Sequence, residues 1–174
     1  MFKKIVLVFA ILIAAVLVFA ATKPNTFRVQ RTATIKAPPE KIYAMLADFH
    51  QWATWSPWEK MDPNMKRTFS GAPTGQGAAY AWEGNSKVGQ GRMEILESTP
   101  PAKVSVKLDF IKPMAGHDTA EFTLHPQGDS TSVTWAMYGP SPYLHKVMGV
   151  FFNFDKLIGK DFEQGLANLK RATE

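Results

Sequence analysis

The chain has 174 residues, enough for one ordinary domain after an apolar first segment, and its 45% hydrophobic and 20% charged residues exclude a disordered chain. The net charge is +5; with Lys3 and Lys4 set apart, eighteen basic residues face fifteen acidic ones, scattered without a run of five, which argues against nucleic acid as a partner. Cysteine is absent, and with it disulfides, thiolate metal sites and a cysteine nucleophile.

Residues 1–25 read as a segment of their own. Ile5 to Ala21 are drawn only from Ile, Val, Leu, Phe and Ala, and at 1.5 Å per residue they span about 26 Å, near the lower limit for a bilayer core. Two readings fit: an uncleaved transmembrane anchor through residues 5–21, or a signal peptide ending in the small residues Ala20 and Ala21. Seventeen residues is long for the apolar stretch of a signal peptide, which favours the anchor. Lys3 and Lys4 favour a cytoplasmic N-terminus, so both readings place the domain at residues 26–174 outside the cytoplasm, single-pass in one case and secreted in the other.

The domain opens with a period of two. Phe27, Val29, Ala33 and Ile35 alternate with polar neighbours as in a half-buried strand. Pro38-Pro39-Glu40 then starts a helix, since proline suits the first turn and an acid suits its positive end. Ile42, Met45, Leu46 and Phe49 share one face of it, and a second short helical turn is expected through Trp52 and Trp55. From Met65 to Gly139 the period of two returns, cut by turns such as Gly84-Asn85, Pro100-Pro101 and Gly128-Asp129, giving about six more strands. Ser141-Pro142 opens a long helical tail in which Leu144, Val147, Met148, Phe151, Ile158, Phe162, Leu166 and Leu169 keep 3.6 spacing. Gly149, Gly159 and Gly165 mark points of bending or of close approach.

Several stretches carry a resemblance. They are Arg31-Thr-Ala-Thr-Ile-Lys-Ala-Pro-Pro-Glu-Lys-Ile-Tyr43, Phe49 through Trp58, Ala81-Trp-Glu-Gly-Asn85 with Gly89 to Arg92, and Asp161 to Lys170. In these the chain resembles the START-like (SRPBCC) superfamily, and within it the polyketide cyclase/dehydrase-like proteins. The resemblance implies an α+β helix-grip fold, in which a curved antiparallel sheet of about seven strands grips a long C-terminal helix and two short helices follow the first strand. It also implies a cavity for an apolar small molecule; one scaffold of this kind hosts binders, transporters and enzymes.

Chemistry is harder to place. His50, His117, His125 and His145 have no partner at metal-ligand spacing, so no metal is expected, and no sequence feature calls for a cofactor. Strand parity puts Glu83, Glu94, Asp109 and Glu121 opposite their apolar neighbours, on the outer face, and no catalytic residue is assigned; Glu83 is the one acid that the Gly84-Asn85 turn can re-aim. What remains is an aromatic and methionine-rich set, and Trp55, Tyr80, Trp82, Phe110, Phe122, Trp135, Met148 and Phe151 are the expected lining of a ligand cavity. The favoured function is a membrane-tethered binding module for a lipid, quinone or polyketide-like molecule. A cyclase or dehydratase, and a tethered domain that docks a protein through its tryptophans, are the alternatives.

Overall fold

The structure is a computed structural model and describes residues 2–174. Helix α1 runs from Phe2 to Ala21 and is exposed along nearly its whole length. It is long and apolar enough to cross a membrane, a test that a signal sequence also passes. Ala20 is buried and Val16, one turn earlier, is half-buried, so a single line of α1 meets the rest of the chain.

Strand β1 (Thr26–Ile35) is followed by α2 (Pro39–Ala47), a 3-10 turn over Phe49–Gln51, the short α3 (Trp52–Trp55) and a further 3-10 turn at Trp58–Lys60. Pro39 opens α2 at its first turn, as its fixed φ allows. Asp48 then accepts the backbone N–H of His50 and ends the extended step between α2 and the turn. Two indole N–H groups tie this region together: Trp52 donates to the Leu46 carbonyl and Trp55 to that of Met45.

Six strands come next: β2 (Lys66–Gly71), β3 (Ala78–Glu83), β4 (Gln90–Thr99), β5 (Lys103–Lys112), β6 (Gly116–Gln127) and β7 (Ser130–Pro140). With β1 they form one seven-stranded antiparallel sheet in the order β1-β7-β6-β5-β4-β3-β2. The register sets its inner face in rows. Val104, Phe122, Trp135 and Arg31 lie side by side across four strands; beside them run Ile95, Val106, Ala120, Met137 and Val29 across five. The acids expected outside are there, since Glu94 pairs with Arg92, Asp109 with Lys107 and Glu121 with Lys103, while Glu83 is exposed.

The C-terminal tail departs from the single helix expected. It is two helices, α4 (Tyr143–Phe151) and α5 (Phe154–Thr173), separated by an extended Phe152. The break comes from Asn153, whose side chain accepts the backbone N–H of Lys156 and so starts a new helix, with Asp155 in its first turn. Gly149 lies inside α4 and interrupts nothing. The other two glycines are points of close approach: Trp135 packs where Gly165 has no side chain, with Cζ3 at 2.7 Å from the site of a β-carbon, and the Arg31 guanidinium crosses α5 over Gly159. There Arg31 bonds Asp155 and Glu163, which hold it well above its usual pKa.

Between sheet and α5 the middle of the grip is filled. Trp135 and Phe162 stack at 4.1 Å, and Trp55, Trp58 and Phe122 meet the same indole at 4.9–5.6 Å. Fully burying side chains of this size contributes roughly 1.5–3 kcal/mol each.

Candidate functional site

The packing loosens toward one end of the sheet. Past the buried row that ends at Val29, the next row is Tyr80, Met93, Leu108, Asp118, Gly139 and Phe27, and the one after is Trp82, Gly91, Phe110 and Gly116. Met93 is buried, but Leu108, Asp118, Phe27, Trp82 and Phe110 are only half-buried. Glycines at 91, 116 and 139 take side chains off this inner surface. The Trp82 ring lies over Gly91 and meets Phe110 edge-on at 5.9 Å, its N–H donating to the Val88 carbonyl at 3.0 Å. On the helix side, His145 of α4 stands between Phe27 and Phe154, at 6.4 and 5.3 Å. A depression of about 370 Å³ borders this end, walled by Glu83–Ser86, Gly89–Gln90 and Lys112–Pro113, which continue β3, β4 and β5 past Trp82, Gly91 and Phe110.

Asp118 is the feature that sequence reasoning missed. It shares strand parity with Ala120, Phe122 and Leu124, so it is an acid on the inner face. Burial pushes its carboxyl above the usual aspartate range, against the pull of His145 and His117. The buried polar groups of Tyr80, Glu59 and Asp62 are committed. Tyr80 donates to Glu59 Oε1 at 2.6 Å, Glu59 Oε2 accepts from Arg67 at 2.7 Å, and Asp62 accepts the backbone N–H groups of Asn64 and Asn85. Among the described residues the buried Trp135 indole N–H has no protein partner, and no group of three His, Asp or Glu is placed to hold a metal.

The sequence profile of the family described as polyketide cyclase / dehydrase and lipid transport matches residues 26–174. The chain belongs to that family. Its solved neighbours agree on the fold of this cyclase and lipid-transport relative. Protein CV1439 from Chromobacterium violaceum superposes with a TM-score of 0.60 at 18% identity, covering 87% of this chain and 99% of its own. The ginseng major latex-like protein 151 from Panax ginseng gives 0.61 at 11% identity, covering 86% and 99%. The Aha1 dimer from Colwellia psychrerythraea gives 0.59 at 19%, covering 85% and 96%. No curated protein matches the chain. Family and fold together support a module for hydrophobic ligands.

The eight residues expected to line a cavity divide within this family fold. Trp55, Phe122, Trp135 and Tyr80 are buried in the packed middle, the last with its hydroxyl taken by Glu59. Trp82 and Phe110 stand together at the open end; Met148, half-buried on α4, lies one turn from His145. Phe151, expected to face inward on a continuous helix, is 67% exposed at the end of α4, because the chain leaves the helix at Phe152.

Proposed function

We propose that the protein is a membrane-tethered module that binds an amphipathic molecule, apolar in body with one hydrogen-bond-donating group, at the open end of the grip. The carrying observation is Asp118: a half-buried inner-face carboxylate between Leu108 and Gly139, in a row whose members Met93, Leu108 and Phe27 are apolar. Ligand sites combine an apolar lining with a few placed polar groups. Trp82, Phe110, Leu108 and Phe27 supply the lining, and Asp118 accepts from the ligand's polar end. Residues 26–174 form the binding domain and α1 is its anchor, on the cytoplasm-distal side of the membrane. Keeping the molecule beside the bilayer spares it exposure to water, which costs about 25 cal/mol per Å² of apolar surface.

Asp118 also supports a second reading, an enzyme of the cyclase or dehydratase type. A carboxyl that holds its proton to higher pH is suited to protonate a leaving hydroxyl. Loss of that hydroxyl as water, with a proton taken from the adjacent carbon, would leave a carbon–carbon double bond.

Native mass spectrometry of the detergent-purified full chain separates these readings. A carrier retains one molecule, released unchanged, and loses it in Trp82→Ala and Phe110→Ala. A dehydratase returns the added substrate lighter by one water, and Asp118→Asn stops that loss. No retained molecule and no mass change for any apolar alcohol, amine or hydroxyketone supplied would overturn both.

A further inference from the structure

We propose that α4 lies in the bilayer interface beside the end of α1, so that the open end of the grip is held against the membrane. This rests on α1 acting as the anchor. Three observations carry it. First, the apolar side chains of α4 and the residues after it are uncovered: Leu144 is 60% exposed, Phe151 67%, Phe152 54% and Leu157 57%. Leu144 and Phe151 belong to a nine-residue helix that has no acidic residue and only His145 and Lys146 as basic ones. Scattered apolar residues on a surface need no explanation, but a contiguous group does.

Second, the patch continues the surface of α1. Tyr143 donates its hydroxyl to the Leu17 carbonyl at 2.8 Å, and Ala20 is buried at the contact. Leu17 stands four residues before the last residue of α1, about 6 Å along the helix axis from its end. If α1 crosses the hydrocarbon, that bond fixes the start of α4 at the depth where interfacial helices lie, roughly 5–10 Å into the headgroup and acyl boundary. Tyrosine is itself enriched at that level.

Third, cations surround the patch. Lys23 sits over the Phe19 ring at 4.5 Å, Lys146 bonds the Asn25 side chain at 2.5 Å, and Lys156 is exposed on the first turn of α5. Their charge is suited to the anionic headgroups of a lipid surface. His145, on the same short helix, packs on Phe27 and Phe154 at the open end, so one helix touches both bilayer and site. A molecule leaving the acyl layer beside α4 reaches Phe27 and Asp118 without crossing bulk water.

The absence of cysteine makes the test direct. Full-length single-cysteine variants Leu144→Cys, Phe151→Cys and Leu157→Cys, with Leu12→Cys in α1 and Asp129→Cys on the far turn as references, are labelled with an environment-sensitive fluorophore. They are reconstituted into vesicles of phosphatidylcholine and phosphatidylglycerol. We expect lipids spin-labelled near the headgroup to quench positions 144, 151 and 157 at least severalfold more than position 129, and aqueous iodide to do the reverse. Position 12 responds only to a spin label deep in the acyl chain. If iodide reaches 144, 151 and 157 as freely as 129 while 12 stays in lipid, the tether stands and the interfacial helix is refuted. If neither quencher reaches them, a protein surface covers α4 and the proposal falls. Should position 12 lie outside lipid, the anchor reading fails, and the patch survives only if 144, 151 and 157 remain lipid-quenched.

Discussion

A β-carbon on Gly139 would overlap Oδ1 of Asp118: the missing side chain on β7 gives the carboxylate of β6 its place on the inner face. Any larger residue there must push the acid toward the ligand side or out of the grip. Gly139→Ala should therefore weaken binding of an apolar probe without emptying the core. Circular dichroism close to that of the parent, together with a changed probe affinity, is the expected pair of results.

Asp118 carries a pH signature. Its raised pKa means that the folded state favours the protonated form, so its contribution to stability is complete below the ordinary aspartate range and is lost as pH rises through the raised value. Asp118→Asn lacks this loss. We expect the variant to be more stable than the parent at neutral pH, with the advantage shrinking on acidification until the two differ by a constant. Urea titrations across a pH series measure it; an advantage independent of pH would show that the carboxyl is not held in its protonated form.

Glu59 is buried, with Arg67 and Tyr80 on its two oxygens. Removing one member of a buried ion pair costs about 3–5 kcal/mol because it strands the other. Arg67 keeps 27% of its side chain exposed, so the stranded charge is partly hydrated and Glu59→Ala should fall near the low end of that range. Tyr80→Phe loses one hydrogen bond to a charged group, about 1.5–3 kcal/mol, and keeps the ring packing on Phe49 and Phe69. Chemical denaturation of both variants checks the ordering.

Two glycines on α5 should respond differently to alanine. At Gly165 the obstacle is the Trp135 ring and the Pro57 ring, at 2.7 and 3.2 Å, both held by the core, so overpacking should cost about 1–3 kcal/mol. At Gly159 the obstacle is the end of the Arg31 side chain, which can swing out at the loss of its bonds to Asp155 and Glu163. Gly159→Ala should be the milder change, and most of its effect should vanish in an Arg31→Ala background.

These positions also show what the sequence made legible. The alternation of Val104, Val106 and Leu108, or of Val133, Trp135 and Met137, is enough to assign strands and their inner faces, because a period of two has one dry side. Asp118 obeys the same parity, yet it precedes the clear alternation of Phe122 and Leu124 and is separated from it by Ala120, too small a side chain to mark a dry face. The break at Asn153 was written in a local signal, an N-cap followed by an acid, which the continuing apolar spacing of Phe151, Ile158 and Phe162 masked. Arg31 could be placed on the inner face, but not over Gly159, because nothing local links residues this far apart. Which aromatics are core depends likewise on packing: Trp135 is fixed by Phe162, Trp55 and Phe122, whereas Trp82 near the sheet edge keeps one side open.

The boundary at Thr26 has its own test. Every strand and both C-terminal helices lie beyond it, and α1 meets the rest chiefly through Ala20, Val16 and the Tyr143 bond. Residues 26–174 alone should unfold in one cooperative transition, with α4 the first part to lose amide protection. Recovery only as aggregate would make α1 part of the fold.

The central claim is that the open end, not the packed middle, takes the ligand, and methionine-methyl NMR of the full chain in lipid nanodiscs tests it most directly. N-phenyl-1-naphthylamine is a neutral apolar probe with one N–H donor. On titration, the methyls of Met93, Met137 and Met148 should shift saturably, those of Met45 and Met65 should not, and Phe110→Ala should weaken the affinity at least tenfold, about 1.4 kcal/mol. Saturable shifts confined to Met45 and Met65, or an unchanged affinity in Phe110→Ala, would contradict it.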